Sequence, residues 1–393
     1  MKAVVLAAGE GTRMRPLTAT VPKPMLPVAD RPLVAHTLDA AIDAGVDEFV
    51  LVVGYESDAV VEHFGESRRG VPINYATQTE RAGTADAVAT AREYLDGPFA
   101  VLNGDNLYDS AAIGQLLESG PAIGAIEVAN PSNYGVLETA GERVESIVEK
   151  PAKPPTNLAN AGAYVFPEEA AGWLEVPESE RGEHEITDVL AKTVDEYAVT
   201  PVVMDRWMDV GRPWELLEAN EWKLGERDRR LAGDVSDDAK ITGDVVVEEG
   251  ATVESGVVIE GPATIRAGAS VGPNAYVRGA TLIGEEASVG HAVEIKNSVL
   301  MAGATVGHLS YVGDSVLGRD VNFGAGTTVA NLRHDDEPVE FTVKGKRVST
   351  ERRKFGVVLA DGVKTGINTS LYPGVKLSQN ATTTPGEVVE RDR

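Results

Sequence analysis

The sequence predicts an α/β protein in which a doubly wound, Rossmann-like domain is followed by a left-handed parallel β-helix of hexapeptide repeats. Residues 1 to about 215 alternate short apolar runs, typical of buried parallel strands, with amphipathic stretches typical of helices. From 241 to 301, a long or branched apolar residue then recurs at every sixth position. We therefore predict one domain over residues 1–232 and a second over residues 233–393.

Apolar runs in the first domain are the candidate strands. They are Val4–Ala7, Glu48–Val53, Ile73–Tyr75, Phe99–Asn103 and Ala122–Val128. The candidate helices are Pro32–Ala44, Gly83–Leu95 and Trp214–Leu231. Strands that alternate with helices in this way predict a sheet with helices on both faces. The acidic stretch 234–238 is the expected linker.

The six-residue period predicts the second domain. A chain that turns a corner every six residues points one aliphatic side chain inward per flat face, and stacking such turns buries a continuous core. The series is Ile241, Val247, Val253, Ile259, Ile265, Val271, Val277, Ile283, Val289, Ile295 and Met301. After Met301 the register slips, and the repeat stops at Asn331 and resumes near Val357. Residues 332–356 carry too many charges for a coil turn, so we predict a loop insertion there, and long loops are often functional.

Composition narrows the classes of function. No apolar run approaches the roughly 20 residues of a membrane span, and the amino terminus predicts a strand rather than a signal peptide. The net charge of −25 is spread along the chain, which argues against nucleic-acid binding and is typical of a halophile's cytoplasmic protein. The absence of cysteine excludes disulfides and thiolate metal sites and is compatible with a reducing cytoplasm.

A glycine-rich turn follows the first strand. It reads Leu6-Ala7-Ala8-Gly9-Glu10-Gly11-Thr12-Arg13-Met14-Arg15-Pro16. Backbone N–H groups of such a turn, at the carboxyl end of a parallel strand, can surround phosphates. Its glycine spacing matches neither the dinucleotide fingerprint nor a P-loop. Lys23 stands between two prolines that restrict its backbone, a way to fix a cation over a polyphosphate.

This turn and the strings after it resemble the signature of sugar-1-phosphate nucleotidylyltransferases. The matching strings, in order, are Leu6–Pro16 with Pro22–Met25, Gln78 with Ala82–Ala85, Asn103–Asp105, Tyr134–Val136, Val148–Pro151, Asn160–Gly162 and Trp207–Gly211. One string alone would be a weak signal, whereas seven in order over the first domain are specific. The resemblance implies that residues 1–232 form a nucleotidyltransferase domain.

The resemblance implies attack by a sugar-1-phosphate oxygen on the α-phosphorus of a nucleoside triphosphate, with release of pyrophosphate. The expected substrates are UTP or dTTP and glucose-1-phosphate or N-acetylglucosamine-1-phosphate. Catalysis of this type depends on positioning and charge neutralisation. Arg13 would meet the outgoing phosphates and Lys23 the α-phosphate, while Asp105 and Asp209 would hold Mg²⁺.

The resemblance also implies two sets of binding residues. The nucleotide would contact Leu6, Ala8, Gly9, Gly11, Gln78, Gly83 and Thr84. The sugar phosphate would contact Gly135, Glu149, Lys150 and Asn160. Each role has a structural alternative. An aspartate after a strand is commonly a turn residue or helix cap, some relatives use an asparagine from another segment in place of Asp209, and Lys150 could be a solvated partner of Glu149.

The stretch Gly307–Asp314, with Asn322–Thr327 and Asn331, resembles the acetyltransferase half of the bifunctional enzymes that make UDP-N-acetylglucosamine, and more closely their archaeal relatives. The resemblance implies an acyltransferase domain over 233–393, acetyl-CoA as donor, and a homotrimer with the site between subunits. His308 would be the general base, since an imidazole titrates near neutral pH. The alternative is a histidine that fills a coil corner, as expected for His291.

The resemblance also implies that Tyr311 and Asn331 orient the amino sugar or stabilise the oxyanion. Relatives place a lysine soon after the asparagine, and the first lysine at or after that point in this chain is Lys344, which is the candidate contact for the substrate. A basic island in the insertion could bind the phosphates of CoA or form a salt-bridged subunit contact. It comprises Lys344, Lys346, Arg347, Arg352, Arg353 and Lys354.

The leading functional hypothesis is thus a bifunctional enzyme. The alternative is a monofunctional glucose-1-phosphate thymidylyl- or uridylyltransferase whose β-helix serves oligomerisation or regulation. A third hypothesis is a non-catalytic regulatory protein with the same domain layout. It is disfavoured by the presence of Arg13, Lys23, Asp105 and Lys150.

Overall fold

The computed structural model describes residues 1–54, 57–80, 82–179 and 182–393. The chain divides into two compact units. The first unit comprises Met1–Glu10, Pro22–Leu26 and Pro32–Asp209. The second comprises Gly11–Val21, Pro27–Arg31 and Val210–Arg393. Within the described residues, no helix is both long and apolar enough to cross a membrane.

A ten-stranded mixed sheet forms the centre of the first unit. Its parallel part contains, as neighbours in space, Phe99–Asn103, Lys2–Leu6, Glu48–Val53 and Val71–Thr77. Strand Leu158–Phe166 then runs antiparallel to Phe99–Asn103. The remaining strands are Ser67–Arg68, Ala122–Glu127, Gly135–Ala140, Arg143–Glu149 and Thr200–Val203.

The strand predicted over Ala122–Val128 exists as Ala122–Glu127, but its neighbour in the sheet differs from expectation. It pairs antiparallel with Leu158–Phe166 and parallel with Thr200–Val203, so an antiparallel strand separates it from the parallel part. An apolar run indicates that a strand is buried on both faces, but it does not indicate which strand lies beside it in the sheet.

Helices cover both faces of this sheet, as a doubly wound fold requires. Leu33–Asp43, Ser57–Phe64 and Ser110–Glu118 pack on one face, and Thr84–Ala89 and Ile186–Glu196 pack on the other. Alternate residues of the first strand feed the two cores: Val5 belongs to one and Val4 to the other. The helix expected over Gly83–Leu95 ends at Ala89 and is followed by a 3-10 turn.

Short elements complete the amino-terminal half. The 3-10 helices are Thr12–Met14, Leu17–Ala19, Lys23–Met25, Arg92–Tyr94, Pro131–Asn133 and Glu168–Trp173. The short strands outside the large sheet are Pro27–Val28, Arg31–Pro32, Asn106–Tyr108 and Trp207–Asp209. The helix expected over Trp214–Leu231 is Pro213–Leu224, and Arg230–Leu231 is already the first strand of the coil.

The second unit contains the β-helix, a coil with three flat parallel sheets. Ile241 pairs with Ile259 and Ile259 with Val277, so one turn takes 18 residues, or three six-residue steps. The inward aliphatic side chains form one continuous buried core. This confirms the predicted β-helix and the physical basis of its period, because each turn completes the core of the turn before it.

The strands of the coil fall into three stacks. The first stack is Arg230–Leu231, Val245–Val247, Ala263–Ile265, Thr281–Ile283, Val299–Leu300, Val316–Leu317, Val358–Leu359 and Lys376–Leu377. The second is Asp234–Val235, Thr252–Val253, Ser270–Val271, Ser288–His291, Thr305–His308 and Asn322–Phe323. The third is Lys240–Thr242, Val258–Glu260, Tyr276–Arg278, Glu294–Lys296, Tyr311–Gly313, Thr328–Val329, Ser370–Leu371 and Val388–Val389.

The prediction that Met301 is the last regular inward residue is wrong by one position. Leu300 pairs with Ile283 and belongs to the coil core, whereas Met301 is buried outside it. The register therefore slips between Ile295 and Leu300, one corner earlier than expected. Three successive apolar residues, 299 to 301, fit either register, so periodicity alone could not place the slip.

The insertion has structure of its own. It contains an antiparallel hairpin of Glu340–Val343 and Lys346–Ser349. Phe341 and Phe355 are buried and pack edge-on against each other and against Trp214 of the preceding helix, with ring centroids 5.7 to 6.3 Å apart. Aromatic pairs in this geometry add to the free energy of burial, so the insertion is anchored through a small core rather than loosely attached.

Candidate active sites

Lys23 lies between two carboxylates at the edge of the large sheet. Its ammonium nitrogen is 2.5 Å from Asp105 Oδ2 and 3.8 Å from Asp209 Oδ1. The lysine side chain is 5% exposed, whereas the two carboxylates are 32% and 24% exposed. The two aspartates predicted to share a metal ion thus converge on one buried cation, and both still reach solvent.

The parallel strands bring Asp105 to the glycine turn. Leu6 and Asn103 are register partners at the carboxyl ends of neighbouring strands. Gly104 then donates its N–H to the Leu6 carbonyl at 2.9 Å. A Cβ atom at Gly104 would lie 2.8 Å from that same oxygen, so only glycine allows this approach. Asp105, the next residue, is thereby fixed close to the start of the turn.

Asp209 reaches the same place through a separate pair of strands. Trp207–Asp209 runs antiparallel to Asn106–Tyr108, with Asp209 opposite Asn106. The Asn106 side chain is buried and donates to the Ala161 carbonyl at 2.9 Å. Trp207 Nε1 donates to the same carbonyl at 2.8 Å. These bonds hold the strand pair against the sheet, which explains how residues a hundred positions apart meet.

The donor set fits magnesium better than a metal held by protein ligands alone. Within the part of the chain that the structure describes, no group of three or more His, Cys, Asp or Glu side chains is assembled for a metal. Mg²⁺ is usually bound through one or two carboxylates together with substrate phosphate oxygens and water. Two partly exposed carboxylates beside a lysine meet that description.

Gln78 and Gly83, both predicted nucleotide contacts, are joined directly. Gln78 is buried, and its side-chain nitrogen donates to the Gly83 carbonyl at 3.0 Å and to Asp86 Oδ2 at 2.8 Å. Asp86 fixes the orientation of the Gln78 amide and was not among the predicted site residues. The missed signal is its position in the first turn of the helix that begins after Gly83.

Gly83 is tightly enclosed by the segment around His184. Its φ of +131° belongs to a region that L side chains rarely adopt, and a Cβ atom there would lie 2.3 Å from the His184 carbonyl oxygen. Ala85 donates its N–H to that carbonyl, and Thr84 Oγ1 accepts the N–H of Ile186, both at 2.9 Å. The Thr84 hydroxyl therefore has a structural partner besides its predicted role.

The remaining turn residues are spread over both units. Leu6 ends the first strand, Ala8 is buried, and Gly9 is exposed, all in the first unit. Gly11, with a left-handed φ of 65°, precedes the 3-10 helix Thr12–Met14, which carries the exposed side chain of Arg13. Both lie in the second unit, and the phosphate contact of Arg13 stays a prediction.

The predicted sugar-phosphate residues come together on three neighbouring strands. Gly135 is the register partner of Glu149, and a Cβ atom at Gly135 would lie 2.9 Å from Glu149 Oε2 and 3.5 Å from the Asn160 Cβ. Lys150 follows with a left-handed φ of 43°, and its ammonium lies 3.2 Å from Glu149 Oε1. The absence of a side chain at Gly135 leaves room beside the carboxylate and the amide.

Asn160 is held by internal bonds on its own strand. Its Nδ2 donates to the Tyr164 hydroxyl at 2.6 Å, and its Oδ1 accepts the Gly162 N–H at 2.8 Å. Burial raises the pKa of Tyr164, and the charge of Glu149 acts in the same direction, so the phenol stays protonated at neutral pH.

In the β-helix, Tyr311 and Asn331 are in contact. Asn331 Nδ2 donates to the Tyr311 hydroxyl at 3.1 Å and to Asp314 Oδ2 at 2.6 Å. Burial raises the pKa of Tyr311, and the charge of Asp314 adds to this. The two predicted substrate residues therefore form one polar group, to which Asp314, missed by sequence analysis, also belongs.

Further polar residues lie on the same outer face. Glu294 is the register partner of Tyr311, and Arg278 forms an ion pair with Glu294 at 2.7 Å. Lys296 donates to Asp314 Oδ2 at 2.6 Å. These side chains flank the inward Val277 and Ile295 and look in the sequence like ordinary outward positions, so they were not among the predicted site residues.

His308 is exposed at the end of strand Thr305–His308 and is the register partner of His291. His291 is exposed too. Register partners on neighbouring strands lie about 4.8 Å apart, so the two histidines occupy equivalent positions on consecutive turns. Backbone position therefore does not distinguish the catalytic role expected for His308 from the corner-filling role expected for His291.

The basic island of the insertion divides into paired and exposed members. Arg352 forms ion pairs with Glu221 at 2.5 Å and Glu218 at 3.3 Å, and it is thus used to hold the insertion to the helix Pro213–Leu224. Arg353 pairs with Asp336 at 2.7 Å. Lys344 is exposed at the tip of the hairpin, with a left-handed φ of 48°.

Two models of known protein families match separate parts of the chain. The family model "Nucleotidyl transferase" matches residues 2–225, and the model "GMPPB C-terminal domain" matches residues 259–362. The two candidate sites described above thus lie in parts of the chain that match known families.

Curated relatives match over the whole chain. The bifunctional protein GlmU of Methanocaldococcus jannaschii is 41% identical over 395 residues, which cover 100% of this chain and 95% of that protein. A bifunctional sugar-1-phosphate nucleotidylyltransferase/acetyltransferase of Sulfurisphaera tokodaii is 38% identical over 400 residues, covering 100% and 98%. A solved UDP-glucose pyrophosphorylase with UDP-glucose aligns with a TM-score of 0.53 at 26% identity, covering 57% of this chain and 99% of that one. The chain belongs to the family of bifunctional sugar-1-phosphate nucleotidylyltransferases/acetyltransferases.

Proposed function

We propose that the first domain is a Mg²⁺-dependent sugar-1-phosphate nucleotidylyltransferase and that the β-helix domain is an acetyl-CoA-dependent N-acetyltransferase of glucosamine-1-phosphate. The observation that supports the first activity most strongly is the position of the Lys23 ammonium within 4 Å of both Asp105 and Asp209. Full-length similarity to bifunctional relatives supports the pairing of the two activities.

In the nucleotidyl transfer, an oxygen of the sugar phosphate attacks the α-phosphorus, a new P–O bond forms, and the bond to pyrophosphate breaks. Asp105 and Asp209 would hold Mg²⁺, which supplies charge neutralisation for the phosphates when bound. Lys23 is fixed by its burial and its prolines, so it can stabilise negative charge on the α-phosphate without reorganising. Arg13 would contact the leaving pyrophosphate.

The bonding of Gln78 is compatible with the proposed UTP or dTTP substrate. Both N–H groups of its amide are directed to acceptors within the protein, Gly83 and Asp86. The atom suited to meet a base is then its carbonyl oxygen, which accepts a hydrogen bond. Uracil and thymine each present an imide N–H donor to such an acceptor, so UTP and dTTP are both compatible with this bonding.

The sugar phosphate is expected next to Gly135, where Glu149 and Asn160 can bond to hydroxyl groups. The exposed ammonium of Lys150 pairs with Glu149 in the structure and can turn to a phosphate. Glucose-1-phosphate and N-acetylglucosamine-1-phosphate are both compatible with this set of side chains.

In the acetyl transfer, the amino group of the sugar attacks the thioester carbonyl carbon, the new C–N bond forms, and the C–S bond breaks to release the CoA thiol. His308 would accept the proton that the amine loses. Tyr311 and Asn331 would contact the amino sugar, and Lys344 would contact its phosphate.

An exposed histidine on a flat coil face suits a site completed by a neighbouring subunit, so we infer a homotrimer. The acidic, cysteine-free composition supports a salt-rich cytoplasm as its location.

The first activity is tested by measuring pyrophosphate release from UTP or dTTP with each sugar phosphate, with and without Mg²⁺. Asp105→Asn should lower kcat by at least about 100-fold, since one preorganised charge at a reacting phosphate is worth this much. Asp205→Asn is the control, because Asp205 is an exposed aspartate close to Asp209 in sequence. Equal rates for Asp105→Asn and wild type would refute the assignment.

The monofunctional alternative is separated by a second assay. Wild type, His308→Ala and His291→Ala are incubated with acetyl-CoA and glucosamine-1-phosphate, and free thiol is followed. The bifunctional proposal expects thiol release by wild type and by His291→Ala, with a large loss in His308→Ala. Because the two histidines are register partners, His291→Ala is a closely matched control. If wild type releases no thiol with glucosamine-1-phosphate or galactosamine-1-phosphate, the bifunctional proposal is refuted and the monofunctional hypothesis remains.

A further inference from the structure

Asp314 is a buried carboxylate surrounded by hydrogen-bond donors on the outer wall of the coil. It is 3% exposed. Its Oδ2 accepts from Lys296 Nζ and from Asn331 Nδ2, each at 2.6 Å, and its Oδ1 accepts from Asn297 Nδ2 at 3.0 Å. The carboxylate is thus paired with three donors of the protein, and a buried carboxylate costs free energy unless it is paired in this way.

The position of Asp314 in the coil does not itself require a carboxylate. It is a corner residue with a left-handed φ of 51°, and its predecessors in the same corner, one and two turns earlier, are Asn297 and Gly279. These have left-handed φ values of 46° and 64°. Asparagine and glycine are the residues that adopt this conformation most easily, so corner geometry alone would be served by either.

Burial distinguishes Asp314 from other acidic residues with a positive φ. Within the described part of the chain, only Asp314 is buried among the acidic residues with a positive φ, which are Glu286, Asp314, Asp320, Asp336 and Glu351. The carboxylate is thus kept out of solvent at the corner next to Tyr311, where its charge acts on Asn331 and Lys296.

The carboxylate fixes which way the Asn331 amide faces. An ionised carboxylate can only accept hydrogen bonds, so the amide nitrogen of Asn331, and not its oxygen, must point to Asp314. The second N–H of that nitrogen is then given to the Tyr311 hydroxyl oxygen at 3.1 Å. Since the Tyr311 oxygen accepts this bond, its own proton is available to another acceptor, and the Asn331 oxygen faces away from Asp314.

We propose that Asp314 is a positioning residue of the acetyl-transfer site, which acts by holding the Asn331 amide and, through it, the Tyr311 hydroxyl in the orientation that meets the amino sugar. Without the carboxylate the amide can turn over, and its oxygen then accepts the Tyr311 proton. Both side chains would in that state present the wrong group to the substrate. The inference rests on the proposed acetyltransferase function of Tyr311 and Asn331.

The test uses the full-length chain and the thiol-release assay with glucosamine-1-phosphate. Asp314→Asn keeps the corner but removes the negative charge and leaves one acceptor oxygen for the three donors Lys296, Asn331 and Asn297, so it should lower kcat/KM for the amino sugar at least roughly tenfold. The KM for acetyl-CoA and the rate of pyrophosphate release should stay at wild-type values. Asp320→Asn is the matched control, since it makes the same change at an exposed left-handed corner with φ 55°.

A double-mutant cycle separates positioning from a merely structural role. If Asp314 acts through Asn331, adding Asp314→Asn to Asn331→Ala lowers the acetylation rate no further than Asn331→Ala alone. Losses that multiply in the double variant would overturn the proposal, as would an Asp314→Asn rate within twofold of wild type. If Asp314→Asn does not fold, Asp314→Gly replaces it, because Gly279 occupies the same corner two turns earlier. No thiol release by wild type would overturn the acetyltransferase assignment together with this proposal, whereas an active wild type with an unaffected variant would overturn only the role of Asp314.

Discussion

Replacing Gly83 by alanine tests the nucleotide segment, because the structure leaves no space for a side chain there. The added Cβ atom would lie 2.3 Å from the carbonyl oxygen and 2.4 Å from the backbone nitrogen of His184. These are backbone atoms, which cannot turn away as a flexible side chain can. The segment that carries the Gly83 carbonyl, to which Gln78 donates at 3.0 Å, would have to move.

The expected loss of stability follows from two contributions. A non-glycine residue in a region of φ and ψ reserved for glycine costs on the order of 1–3 kcal/mol. Relief of the overlap with His184 by backbone movement adds a further 1–3 kcal/mol or so, as overpacking does elsewhere. A total of about 2–6 kcal/mol corresponds to a fall in Tm of about 4–24 °C for a domain of this size.

The measurement is thermal unfolding of Gly83→Ala, with the KM for the nucleoside triphosphate determined at a temperature where the variant is folded. Gly97→Ala is the control, because a Cβ atom at Gly97 meets no atom within 4 Å, and its Tm should change by no more than about 2 °C. The KM of Gly83→Ala should rise, since Gln78 loses its fixed partner. Equal Tm values for the two variants would refute the steric reasoning.

Three other perturbations test separate parts of the molecule. Lys23→Met removes the cation between Asp105 and Asp209 at similar volume and should lower pyrophosphate release by about 100-fold or more; retained activity would exclude a direct role for this lysine. Phe355→Ala empties the aromatic core of the insertion and should destabilise the protein by about 3–5 kcal/mol, and a Tm equal to wild type would show that the insertion does not support the fold. Burial raises the pKa of Glu218 above its ordinary 4.5, against the opposing attraction of Arg352. Because a raised carboxyl pKa gives stability that is present at low pH and is lost as the pH rises through the folded value, Glu218→Gln should gain Tm relative to wild type as the pH is raised from about 5 to about 8; a difference independent of pH would contradict this.

The fold could be predicted largely because burial leaves a periodic record in the sequence. Residues such as Val253 and Val271 are inward in the coil because every turn must complete the core of its neighbour. The same logic fails where several apolar residues follow one another, so Leu300 rather than Met301 is inward. Periodicity also gives no prediction in the insertion, because the buried Phe341 and Phe355 stand among many charged residues there.

The candidate sites could be located from motifs, but their supporting residues could not. Lys23 and Asp105 stand in recognisable strings, and the structure brings them together. Asp314 carries no signal in the sequence, and Asp86 carries only its place in the first turn of a helix, because their importance comes from partners that only the folded chain places beside them. Arg352 was grouped with other basic residues by its neighbours in sequence, although its ion pairs are made with a helix 130 or so residues away.

Binding of Mn²⁺ in place of Mg²⁺ tests most directly whether Asp105 and Asp209 share a metal ion with the nucleotide. Enhancement of water proton relaxation reports enzyme-bound Mn²⁺ in the presence of a non-reactive UTP analogue, in wild type and in variants. We expect Asp105→Asn and Asp209→Asn each to weaken this binding at least about tenfold, and Asp205→Asn to leave it unchanged. Wild-type binding in either of the first two variants would contradict the metal site on which the proposed nucleotidyl transfer depends.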